Sequence, residues 1–134
     1  MLKDNNYLFS YSGLKTAVSL FIQKLDKEEF ESNKANIAAS FQEAAVEILV
    51  EKTLRAAKEF NIKHIAISGG VAANSRLRSM FEERLHSHQQ LFYPSLKLCT
   101  DNAAMIAAAG YHRLISGPPS KLDEDVYSRT KGKF

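Results

Sequence analysis

The sequence has one cysteine in 134 residues, no apolar run near the roughly 18 residues that span a bilayer, no internal repeat and no low-complexity tract. Each shortage excludes something. Cys99 has no cysteine to pair with, so an internal disulfide is ruled out and a reducing compartment fits. It also lacks a neighbouring histidine, so it reads as a buried residue rather than a nucleophile. The opening "MLKDNNYLFS" has no basic region followed by an apolar one and does not read as a signal peptide. Prolines are few. Pro94 ends a short strand, and Pro118-Pro119 behind Gly117 stop a helix.

Catalytic motifs are also scarce. There is no G-x-x-x-x-G-K-[ST] phosphate loop and no G-x-G-x-x-G dinucleotide fingerprint. The four histidines, His64, His86, His88 and His112, form no H-x-x-x-H or H-E-x-x-H pair. His86 and His88 are two apart near a helix end, and such residues do not face one another on a helix. No three-ligand metal site follows from spacing alone.

What remains is an ordinary globular composition, 45% hydrophobic and 25% charged, with a mild net charge of +3. That charge permits an acidic partner such as RNA without arguing for one. Leu8 to Ser12 alternate loosely, as a short strand would. From Gly13, the residues Leu14, Ala17, Val18, Phe21, Ile22 and Leu25 recur at helical spacing. "DKEEFESNK" reads as a solvated connection. A long helix follows over about 35–60, with Ile37, Phe41, Ala44, Ala45, Ile48 and Leu49 on its inner side. Lys52, Arg55 and Lys58 suit its C-terminal end, and Asn61 stops it. Strand "KHIAIS", a glycine corner, and a helix over about 74–86 come next. Strand "LFYP", an extended loop or strand "SLKLCTD" and a helix "NAAMIAAAGYHRLI" capped by Thr100 or Asp101 complete the pattern. The tail "SKLDEDVYSRTKGKF" reads as a surface strand or free segment. Alternating strands and helices predict an α/β fold.

Three stretches are candidates for chemistry. In "ISGGVAANSRLR" a strand runs through Gly69-Gly70 into a helix opened by Asn74. Such a corner seats a phosphate, because the helix end offers unpaired N–H groups and glycine lets a ligand reach the backbone. The same glycines also make a sharp turn with Asn74 as an ordinary cap, and both readings stand. In "LCTDNAAMIAAAG" Asp101 can cap a small-residue helix or ligate a metal, and Asn102 is similarly ambiguous. In "FSYSGLKT" Ser12 and Lys15 lie beside a turn. Lys15 can meet a phosphate or stay solvated.

Taken together, "FSYSGLKTAV", "ISGGVAANSRLR" and "CTDNAAMIAAAGYHRL", in this order, resemble the second half of the bacterial TsaD family, also called Gcp or YgjD. The likeness covers nearly the whole chain. It implies a C-terminal portion, residues 1–134, of an actin, heat-shock chaperone and sugar-kinase-like (ASKHA) fold whose N-terminal lobe is missing. The implied activity is tRNA N6-adenosine threonylcarbamoyl transfer, from threonylcarbamoyl-adenylate (threonylcarbamoyl-AMP) to adenosine 37. The resemblance assigns Gly69, Gly70 and Asn74 to substrate and nucleotide, and Asp101 to one divalent or iron ion (iron or zinc). The histidines completing that ion's shell are absent here. It further implies a cytoplasmic protein that acts on tRNA with TsaB-like and TsaE-like proteins and has no membrane. The chain alone is then expected to be inactive and able to self-associate. Two other readings are a non-catalytic partner homologue and the metalloendopeptidase of the family's older description. The latter would need the missing histidines and a general base.

Overall fold

A computed structural model describes residues 6–119, 121 and 123. The expected tail strand lies almost wholly outside them. Helix α1 (Tyr11–Ile22) leads to α2 (Lys27–Glu59), then β1 (His64–Ala66), a 3-10 helix (Gly70–Ala73), α3 (Ser75–Arg84), β2 (Gln90–Phe92), a second 3-10 helix (Leu96–Leu98) and α4 (Ala103–Ser116). The strands pair in parallel, with Ile65 opposite Leu91, and α3 lies on the crossover between them. The mixed α/β reading therefore holds. No described helix is long and apolar enough to cross a membrane. Two compact units divide the chain, residues 1–100 and 101–134.

The core of the first unit joins Val46, Val50 and Ala57 of α2 to Ile65 of β1 and to Leu77, Met80 and Phe81 of α3. Salt bridges on the rim reinforce the α2–α3 packing. Arg76 makes a two-pronged contact with Glu43, at 2.8 Å for each prong, and reaches Glu83 at 2.9 Å. The expected inner stripe is only partly right. Ile48 is buried, but Ile37, Phe41, Ala44, Ala45 and Leu49 are half-buried, because α2 meets α3 only along its second half.

Three local expectations are corrected. Leu8 to Ser12 form no strand. Ser10 caps α1, its hydroxyl accepting from the Ser12 N–H at 3.3 Å, so the helix begins at Tyr11. "DKEEFESNK" is not a connection, because α2 starts at Lys27 on a capping box. The Asp26 carboxylate accepts from Glu29 N at 2.9 Å, and the Glu29 carboxylate accepts from Asp26 N at 3.2 Å. "SLKLCTD" holds the second 3-10 helix rather than a strand. Asn61 does end α2, with φ 53.

Lys58 sits in the last turn of α2 as expected. Lys52 and Arg55 have another task. Lys52 is 3% exposed, and its amine donates to Asn6 Oδ1 at 3.2 Å and to the Leu8 carbonyl. Arg55 donates to the Asn6 carbonyl and stacks on Tyr7, whose hydroxyl reaches Glu59. These groups fasten residues 6–8 to α2, just ahead of the Ser10 cap.

Candidate functional site

The two glycines of the corner are not equivalent. Gly69 has φ 81 and ψ 177, a backbone region open essentially to glycine alone. Its carbonyl accepts from Ala72 N at 3.0 Å, which turns the chain into the 3-10 helix. Gly70 has no such backbone constraint, and at both glycines nothing but the adjoining chain lies within 4 Å of where a Cβ would stand. The chain's own geometry therefore requires glycine at 69 and leaves open space at 70.

Asn74 caps α3, with Oδ1 accepting from Leu77 N at 3.1 Å. The cap commits the oxygen, so the amide donor Nδ2 points the other way, to Gln42 Oε1 of α2 at 3.3 Å. Beside this contact is a cleft of about 450 Å³ lined by Tyr11, Lys15, Phe41, Gln42, Val71 and Asn74 among others. Its walls are mostly apolar with a few polar groups, as small-molecule sites are. Burial pushes the Tyr11 phenol above its ordinary pKa. Lys15 thus shares a cleft with Asn74, although 59 residues separate them in sequence. Ser12 does not line it. Its hydroxyl is 2.7 Å from Ser10 Oγ at the start of α1.

Two residues that the sequence left unmarked hold the corner in place. Gln42 receives the Asn74 amide. Arg78 donates from Nε to the Ala72 carbonyl at 2.6 Å, and from Nη2 to the Pro94 carbonyl at 3.0 Å and Cys99 Sγ at 3.3 Å. An arginine four residues past a cap lies one turn along the helix and can reach back to the loop before it, which was the available signal. Cys99 is buried as expected, at 2% exposure.

In the second unit the cap of α4 is neither Thr100 nor Asp101. It is Asn102, which has an extended backbone and whose side chain accepts from Met105 N at 3.0 Å. The helix-cap reading of Asp101 is thereby overturned, and its side chain is exposed. One carboxylate does not make a metal centre. Among the described residues no three His, Cys, Asp or Glu side chains gather to hold an ion, so those residues by themselves do not fit one. His86 and His88 lie past the end of α3 and their rings stack, 5.7 Å apart and 5° from parallel. The expectation that they do not face one another assumed a helix that has already ended at Arg84.

A strand running through a left-handed glycine into a capped helix is how many α/β proteins hold phosphorylated ligands. The family profile described as TsaD: tRNA N6-adenosine threonylcarbamoyltransferase matches residues 2–108. A Caldicellulosiruptor saccharolyticus protein is 52% identical over 121 residues, covering 90% of this chain and 36% of its own length. One from Carboxydothermus hydrogenoformans is 50% identical over 127 residues (94% and 37%), and one from Desulfotalea psychrophila 42% over 134 (97% and 39%). All three carry the name tRNA N6-adenosine threonylcarbamoyltransferase. This chain belongs to the TsaD family. It spans a little over a third of the length of these relatives.

Proposed function

We propose that this chain supplies the nucleotide-holding part of a tRNA N6-adenosine threonylcarbamoyltransferase, as the C-terminal lobe portion of an ASKHA fold. The observation that carries the reading is the open approach at Gly70. A ligand can come against that backbone without displacing any protein atom, and family membership supplies the ligand class.

The substrate is threonylcarbamoyl-adenylate, a mixed anhydride. The N6 amine of adenosine 37 attacks the carbamoyl carbon, the C–O bond to phosphate breaks, AMP departs with that electron pair, and the amine gives up a proton. In this reading the phosphate meets the corner's backbone at Gly70, since the Ala72 and Asn74 N–H groups are spent within the turn on the Gly69 and Val71 carbonyls, and stabilisation of its growing charge lowers the barrier. The Lys15 ammonium adds a positive charge in the neighbouring cleft, and Asn74 Nδ2, which spends one of its two hydrogens on Gln42 Oε1, offers the other to substrate. Asp101 contributes one carboxylate to an iron or zinc site completed by histidines outside this chain. The protein works in the cytoplasm on tRNA, with TsaB-like and TsaE-like partners.

The test uses the protein at the full length of its curated relatives. Gly70→Val should weaken AMP binding by about tenfold or more and leave the melting temperature in place. Unchanged affinity with lowered stability would make the corner a structural turn only. Asp101→Asn should keep the melting temperature of the metal-free form and lose most of the bound metal, since a neutral amide is a poor ligand for such an ion. Retained metal would remove Asp101 from the site.

A further inference from the structure

Arg78 joins the glycine corner just before it to the chain 16 to 21 residues downstream. Its Nε bonds the Ala72 carbonyl in the 3-10 helix of the glycine corner, and its Nη2 bonds the Pro94 carbonyl beyond β2 and the Cys99 thiol beyond the second 3-10 helix. The guanidinium carbon stands 4.3 Å from the centre of the Tyr93 ring. The Tyr93 hydroxyl donates in turn to Glu82 at 2.7 Å, which raises the phenol's pKa. Two of its three nitrogens and one face of its plane are therefore committed to protein. Arg78 meets the corner from the inside, at Ala72, which is 1% exposed, whereas Gly70 on the same turn is open.

A corner with two glycines is intrinsically loose, and a loose loop must be ordered when ligand arrives. Local backbone bonds at Gly69 and Val71 shape the turn but do not fix it to the chain beyond β2. Arg78 does, because a planar fork with several donors can hold carbonyls from separate segments at set angles. A lysine, with a point charge on a flexible stem, cannot do so equally. We propose that Arg78 is a positioning residue, which anchors the Gly69–Asn74 loop to the chain beyond β2 so that the loop meets the nucleotide already ordered. The proposal deepens the reading of that loop as the nucleotide cradle and rests on it.

The experiment compares Arg78→Lys, Tyr93→Leu and Gly70→Val in the full-length protein. It measures AMP affinity by calorimetry, KM and kcat for threonylcarbamoyl transfer, and amide exchange over residues 70–73. Arg78→Lys should bind AMP about tenfold more weakly, raise KM more than it lowers kcat, and speed exchange at residues 70–73 while the amides of α2 exchange as before. Tyr93→Leu takes away the ring seat without touching the corner. It should shift the same readouts in the same direction, which keeps the proposal testable if Arg78→Lys folds poorly. If both bind AMP as the parent does while Gly70→Val does not, the cradle stands and the role of Arg78 falls. If Gly70→Val also binds normally, the cradle itself fails and takes this proposal with it.

Discussion

Helices α3 and α4 begin on the same chemistry. Each opens on an asparagine whose side-chain oxygen accepts from the N–H three residues on, Asn74 from Leu77 at 3.1 Å and Asn102 from Met105 at 3.0 Å. Beyond the cap they differ. Helix α3 buries Leu77, Met80 and Phe81 in the core, whereas α4 buries nothing and leaves Ile106, Tyr111, Leu114 and Ile115 more than 60% exposed. A cap decides where a helix starts, but packing decides whether that start is held still. Gly69, Gly70 and Asn74 stand before a packed helix, so this chain fixes their geometry by itself. Asp101 stands before one with no buried residue.

The largest expected break in that comparison is in the core. Phe81→Ala should cost about 3–5 kcal/mol in urea unfolding, while Ile106→Ala on α4 should change stability by less than about 0.5 kcal/mol. Similar losses at the two sites would contradict the difference in burial between the two helices. The glycines sharpen the same contrast within the corner. Gly69→Ala forces a side chain into the φ 81 region and should cost about 1–3 kcal/mol. Gly70→Ala, with open space around its Cβ, should be neutral or stabilise by up to about 1 kcal/mol.

The caps come next. Asn74→Ala should lower global stability by about 1 kcal/mol. Asn102→Ala removes the same hydrogen bond, yet it should register only as faster amide exchange in the first turn of α4, with the unfolding midpoint unmoved. A shifted midpoint would contradict the difference in packing.

The smallest effect concerns the rim of α3. Hydrogen bonding from Arg76 is the main cause holding the Glu43 carboxyl below its ordinary value of 4.5. A depressed carboxylate stabilises the fold above that ordinary value, and the contribution fades as pH falls through the lower folded one. Acid titration of the unfolding midpoint should therefore fall less steeply in Glu43→Gln than in the parent, and high salt should narrow the gap. Identical acid limbs would show that this exposed pair contributes nothing.

Much of this was legible in the sequence. The strand–glycine–helix order, Asn74 as a cap, the stop at Asn61 and the burial of Cys99 all follow from residue type and local spacing. The start of α2 was also written there, as Asp26 followed three residues later by Glu29. The segment between Asp26 and Lys34 has almost no apolar stripe to mark it as helical, and a capping box does not need one. The choice between Asp101 and Asn102 could not be read. Both residues cap well, and the backbone at 102 decides. Arg78 was hidden for another reason: its acceptors lie 16 and 21 residues downstream, and only the parallel pairing of β1 with β2 brings that part of the chain back to the corner.

The buried amine of Lys52 makes one motion of this fold chemically visible. Acylating reagents attack lysines that reach solvent, and the Lys34 side chain, 64% exposed, will react at once. Lys52, 3% exposed and bonded to Asn6 and Leu8, can react only while residues 6–8 are lifted from α2. The ratio of its labelling rate to that of Lys34 therefore counts the fraction of time residues 6–8, the lead into α1, stand undocked.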